Sequence, residues 1–236
     1  MSDTKLYTPA GTKEIFMAAV VVLSDILPIS CDAMFIHGAP IRDDDLDYQL
    51  LDTASNLYID NDVNNVVING LKEADCRAKN LAYRGCEPWR NSLLEEVDDN
   101  HIFVLPPSDN TAIESYNLLL LAKEKGWENL IICSHPHHLL RCFLQIVAEM
   151  NKMDFFPNVY CKPGGGINWN RLCEKPVLKG GTGFTGDEKG PYHEMVGKEF
   201  ERVVTYGQQP PMKDGKPAFI RHATLPEMFE YLKRRG

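Results

Sequence analysis

Short apolar runs alternate with amphipathic stretches along most of the chain. Residues 31–36, 65–68, 102–105 and 130–133 are runs of strand length, apolar or β-branched apart from Asp32 and Asn65. With so little polar alternation, they predict strands buried on both faces of a parallel sheet. Each run gives way to Gly, Pro or a polar residue: His37-Gly38, Asn69-Gly70, Pro106-Pro107 and Ser134. Residues 159–161 predict a fifth strand.

Between the runs the period changes from continuous to helical. Leu46, Leu50, Leu51, Ala54 and Leu57 fall on one helical face, predicting an amphipathic helix over 46–59. Further helices are expected over 12–27, with Thr12 as N-cap and Pro28 as the stop, over 72–83, and over 88–97 with Pro88 in its first turn. Two more follow: one capped by Ser108 or Thr111 and stopped by Gly126, and one from about His138 to Met150. Repeated strand-helix alternation predicts the α/β class: a doubly wound, mostly parallel Rossmann-like sheet with helices on both faces and right-handed crossovers. In such a sheet ligands bind at the C-terminal ends of the strands.

The texture divides the chain into an N-terminal helix (1–30), a Rossmann-like core (31–162) and a C-terminal extension (163–236). In the extension Gly164-Gly165-Gly166, Gly180-Gly181 and Gly183 punctuate a polar stretch before helical patterns at 194–206 and 226–234. No GxxxxGK[ST] and no strand-GxGxxG-helix context occurs, so 164–186 reads as a connection rather than a phosphate cradle.

Composition narrows the function classes. The 236 residues are 44% hydrophobic and 25% charged, as expected of a folded globular protein. A net charge of −8 argues against a nucleic-acid partner. The apolar run 15–23 is too short to span a bilayer, which predicts no membrane partner and a cytoplasmic location. Seven cysteines without a CxxC pair read as reduced thiols, Cys31 and Cys133 as buried ones. Asp43-Asp44-Asp45 reads as a solvated helix N-terminus rather than a metal site.

The candidate chemistry lies in the loops after the strands. Gly38 and Arg42, Asn69 and Gly70, Ser108 to Thr111, and Ser134 to Arg141 would converge at one end of the sheet. Helix N-termini with Arg42 and Arg141 suit an anion, which predicts a small anionic or zwitterionic ligand such as a nucleotide. His138 and Arg141 are three residues apart and can address one ligand together. His138 is also a candidate general acid or base. His135, His137 and His138 could suggest a metal, but adjacent histidines at a helix start diverge and no fourth ligand sits at a recognised spacing, so no metal is expected. Neither GxSxG nor HExxH occurs, and Cys133 reads as a buried strand residue rather than a nucleophile.

Two motifs, Ser108-x-Asn110-Thr111-x-x-Glu114 and Ser134-x-Pro136-x-His138-x-x-Arg141, stand about 25 residues apart. With Gly38 and Arg42, Asn69-Gly70 and Glu87, they make residues 30–150 resemble the YdcF/SanA-like family of largely uncharacterised Rossmann-like proteins; 199–206 is similar more weakly. The resemblance implies a polar pocket lined by these residues. It also implies an S-adenosylmethionine or related nucleotide ligand, bound with or without turnover. The alternative is a hydrolase or transferase acting on a phosphate ester or diphosphate through His138. The chain departs from the family at Asn69-Gly70, where a Gly pair is usual, at Pro88, where a small residue is usual, and at Cys142, where alanine is usual.

Overall fold

A computed structural model describes residues 11–38, 44–78, 85–165, 172–174, 178–179, 183–184, 189–191, 199, 203 and 222–236. The apolar runs become β1 (Ala33–Ile36), β2 (Val66–Asn69), β3 (Ile102–Leu105), β4 (Asn129–Ser134) and β5 (Asn158–Pro163). They form one sheet in the order β3-β2-β1-β4-β5, and every pairing is parallel. The chain builds outward from β1 to β3, then crosses back to add β4 on the other side of β1. That reversal is the topological switch point, the place where such sheets bind ligands beyond the C-terminal ends of their strands.

The intervening segments form α1 (Thr12–Leu23), α2 (Asp44–Ile59), α3 (Glu73–Ala78), α4 (Cys86–Leu93), α5 (Thr111–Lys125) and α6 (Pro136–Met153); α7 (Leu225–Arg235) closes the chain. Strand side chains alternate between two cores. Ala33, Phe35, Val67, Ile132 and Cys161 face α1, α5, α6 and α7, whereas Met34, Ile36, Ile68 and Cys133 face α2 and α4. The sheet is therefore covered on both faces, as uninterrupted apolar strands require.

Several boundaries differ from the sequence expectation for identifiable reasons. α1 begins at Thr12 with Gly11 as its N-cap, and stops at Leu23 because both the Ser24 N–H and hydroxyl bond the Val20 carbonyl. The cap of α5 is Asn110, whose Oδ1 accepts the Ala112 N–H at 2.8 Å, rather than Ser108 or Thr111. α6 starts at Pro136, two residues before His138, since proline's fixed φ suits the first helical position. It ends where Asp154 turns left-handed at φ 47°. Asp44 opens α2, as the acidic run suggested, while Pro88 lies in the first turn of α4.

In the C-terminal stretch, β6 (Leu172–Glu174) pairs with β9 (Lys189–Pro191) and β7 (Leu178–Lys179) with β8 (Gly183–Phe184), both antiparallel. The stretch read as a mere connection thus contains two small ladders. Most of the helical pattern at 194–206 lies outside the described residues. α7 opens with a reciprocal cap in which Glu227 accepts the Thr224 N–H and Thr224 accepts the Glu227 N–H. It is held to the sheet by Tyr231, whose hydroxyl accepts the Val159 N–H and donates to the Pro157 carbonyl. Arg235 forks onto Asp25 at 2.6 and 2.7 Å, a buried pair linking α7 to the segment after α1. Among the described residues no helix is long and apolar enough to cross a membrane.

Candidate functional site

Arg141, on the second turn of α6, gathers groups from three parts of the chain. Its Nη2 lies 2.9 Å from His138 Nδ1, its Nη1 donates to Thr111 Oγ1 at 3.4 Å, and its Nε donates to Glu199 Oε2 at 2.8 Å. His138 arrives on the same helix face one turn earlier, and Thr111 is the first residue of α5. The Arg141 side chain keeps 19% exposure while that of Glu199 keeps 3%, so the guanidinium reaches partly toward solvent and the carboxylate is buried. A guanidinium can only donate, so this contact uses the Nδ1 lone pair of a neutral His138 ring, whose proton is then on Nε2.

Behind Arg141 runs a second polar chain that starts at β1. His37 directly follows the strand and, two residues after Phe35, points to the α5–α6 face. Its Nδ1 is 3.1 Å from Oε2 of Glu114, and the other Glu114 oxygen accepts from Asn69 Nδ2 at 2.5 Å. Asn69, last residue of β2, also clamps the β3–α5 loop: Nδ2 donates to the Ser108 carbonyl and Oδ1 accepts the Ser108 and Leu71 N–H groups. Cys142, fully buried one turn after His138 on α6, interacts electrostatically with both His37 and His138. Asn69, Glu114 and His37 thus form one buried hydrogen-bonded chain, and Thr111, His138 and Glu199 gather on Arg141 as a separate group.

The charges of these groups support one another. Burial opposes ionisation of Cys142, but His138 and His37 bring its thiol down to about 6. Burial likewise opposes charge on His37, yet Cys142 and Glu114 lift its imidazole to about 9. For His138, burial and Arg141 work against protonation, and Cys142 and Glu199 outweigh them, so its pKa is raised. The contrast is with His135, held neutral by burial and the neighbouring His138 with a pKa of about 3, and with His137, lowered by burial and His135. Those two rings stack 5.8 Å apart. Among the described residues no three His, Cys, Asp or Glu side chains are arranged to hold a metal ion.

The residues singled out in the sequence divide into three groups. Thr111, His138 and Arg141 meet directly, and Glu114 and Asn69 stand behind them. Ser108, Asn110, Ser134 and Gly70 shape the surrounding loops. Ser108 Oγ accepts the Asn110 N–H and donates to the Asn110 carbonyl, while Ser134 Oγ reaches the His37 carbonyl at 3.4 Å. At Gly70 a Cβ would collide with the Leu105 carbonyl, so glycine there serves strand packing. Gly38 is half-buried beside His37. Glu87 belongs elsewhere: it is exposed on α4 and accepts the Glu73 N–H at 3.3 Å, joining α4 to the start of α3. Arg42 lies outside the described residues.

Sequence reasoning missed the roles of His37, Cys142 and Glu199. The spacing of His37 from Phe35, and of Cys142 from His138, already placed each on the relevant face. Nothing in the sequence alone could have paired Glu199 with a residue 58 positions earlier. No protein-family model matches the chain, and a search of the curated proteins finds no match.

Proposed function

We propose that the crevice between the ends of β1 and β4 binds a small anionic or zwitterionic ligand, with S-adenosylmethionine or a related nucleotide as the leading candidate and Arg141 as its anchor. The observation that carries this reading is the convergence of Thr111, His138 and Glu199 on one guanidinium at the sheet's switch point. The N-terminus of α6 opens at the same place, and helix N-termini favour negative charge. Glu199 narrows the ligand class. A bare anion approaching Arg141 meets the repulsion of that carboxylate, whereas an α-amino acid group offers an ammonium to Glu199 and a carboxylate to Arg141. S-adenosylmethionine carries such a group, and the two motifs shared with the YdcF/SanA-like family support the same ligand.

Calorimetry with S-adenosylmethionine, ATP and a sugar nucleotide tests the reading on wild type, Thr111→Val and Arg141→Lys. S-adenosylmethionine is expected to bind best, and both substitutions to weaken it. Absence of binding by all three ligands would remove the proposal.

A second reading, a hydrolase or transferase acting on a phosphate ester or diphosphate, is favoured by the setting of His138. Its Nδ1 is fixed by Arg141 and lies 3.8 Å from Glu199, an arrangement that orients an imidazole for proton transfer. Phosphate release from a substrate panel, lost in His138→Gln, separates turnover from binding alone.

A further inference from the structure

The two edges of the five-stranded sheet are finished differently. At the β5 edge the outward backbone groups are covered by side chains. The Val159 N–H donates to the Tyr231 hydroxyl, the Val159 carbonyl accepts from Arg235 Nη1, and the Cys161 N–H donates to Asp25 Oδ2. An edge covered in this way cannot recruit a further strand.

At the opposite edge the cover is missing. In a parallel ladder successive residues turn their N–H and C=O groups to opposite sides, and Met34 donates to the Asn65 carbonyl, so Met34 bonds toward β2. Its register partner Val66 therefore bonds away from β1, toward β3. By the same alternation Ile102 and Val104, the register partners of Val66 and Ile68, turn their backbone groups outward. The Ile102 N–H folds back onto the Asp99 carbonyl, and Pro106 has no N–H to offer. Val104 is left as the residue of β3 with donor and acceptor both facing out, and among the described residues nothing bonds them. β3 carries no charge, and α4 and α5 pack against it from the two faces of the sheet. Val104, Leu94 at the end of α4, and Ile113, Tyr116 and Leu120 along the solvent face of α5 are each between 40% and 46% exposed. Asn117, beside that stripe, donates to the Pro106 carbonyl at 3.4 Å and so ties the stripe to the edge.

We propose that the open edge of β3 is an interface between two copies of this chain, with a two-fold axis passing between their Val104 residues. A residue that presents one donor and one acceptor is satisfied in full by an identical residue in antiparallel register, where opposed residues exchange both bonds. The two sheets then join into one, and neither keeps an open edge at β3. So short a strand offers a foreign peptide little more than those two bonds. A two-fold contact adds the flanking apolar surface twice, once from each copy, which favours a second copy as the occupant. The interface is independent of the ligand taken at Arg141.

The test is sedimentation velocity on the full chain from low to high micromolar concentration. The expected wild-type species has twice the 26.7 kDa mass of one chain. Val104→Pro deletes the outward N–H without removing a bond to β2, and should weaken the dimer by at least about tenfold. Val104→Lys keeps the backbone and sets a charge at the axis, with the same expected effect; it decides the matter if the proline variant fails to fold. Phe16→Lys, on the exposed apolar face of α1, should leave the dimer intact. Mild oxidation of Val104→Cys should join the two copies by a disulfide at that position, read by mass spectrometry, because such opposed residues have Cα atoms about 5.5 Å apart. A monomer at every concentration, or a dimer that neither Val104→Pro nor Val104→Lys weakens, would overturn the proposal, as would a dimer lost in Phe16→Lys alone.

Discussion

His37 Nδ1 lies 3.1 Å from Glu114 Oε2, joining the end of β1 to the first turn of α5 across 77 residues of chain. The contact is buried on both sides. It leaves the other ring nitrogen, Nε2, buried without a hydrogen-bond partner among the described residues.

Glu114→Gln should lower the His37 pKa and destabilise the fold by about 1–3 kcal/mol, because a charge-assisted buried bond becomes a neutral one. His37 has its folded pKa raised, from 6.5 to about 9. Its contribution is therefore complete below about 6.5 and is lost as pH rises through about 9. Urea denaturation at pH 6, 8 and 10 should find the deficit of the variant shrinking at the highest pH.

Cys142→Ser removes the largest favourable influence on His37, so the His37 imidazole should titrate lower, as read by NMR of the ring protons. The sign for the thiol is opposite to that for histidine. Its folded pKa is depressed to about 6, so its contribution is present above the unfolded value and fades as pH falls through about 6. Since the thiolate also needs a charged His37, the stability gap between wild type and variant should be widest between about pH 6 and 9.

Arg141→Met leaves Glu199 buried without its guanidinium partner, which should cost about 3–5 kcal/mol. Adding Glu199→Gln should recover part of that loss. A double-mutant cycle by chemical denaturation measures the coupling, and strictly additive effects would contradict the pairing.

Tyr231→Phe removes the acceptor of the Val159 N–H and a donor to the Pro157 carbonyl. A destabilisation of about 1–3 kcal/mol is expected from leaving that buried amide unsatisfied, seen as a lower Tm with the circular dichroism spectrum preserved.

Gly70→Ala places a methyl group on the Leu105 carbonyl and should cost about 1–3 kcal/mol through displacement of β3. Because Asn69 precedes it and holds the Ser108 loop, any ligand binding at Thr111 should weaken alongside. Parallel melting and calorimetry separate the two effects.

The sheet was the most legible part of the chain. Residues 102–105 are β3 to the residue, and the other strands differ from their apolar runs by one or two positions, because a strand buried on both faces has to be apolar throughout. Helix starts were less legible. Ser108, Asn110 and Thr111 are all capping types, and only the backbone bond from Ala112 selects Asn110. At α6, Pro136 starts the helix early and so turns His138 and Arg141 onto one face with Cys142.

The sequence alone determined the α/β class, the order of strands and helices along the chain, and the motifs containing Thr111, His138 and Arg141, since periodicity and loop chemistry are local properties. Only the tertiary structure decided that β4 lies beside β1, that Glu114 serves His37 rather than facing solvent, and that Glu199 neutralises Arg141. It also buried Cys142, in sequence only a departure from the family pattern, where His37 and His138 influence its charge. The physical reason is that pairing of distant groups and loss of solvent screening arise only when the chain closes on itself. Those two effects set the charge of a buried thiol or histidine.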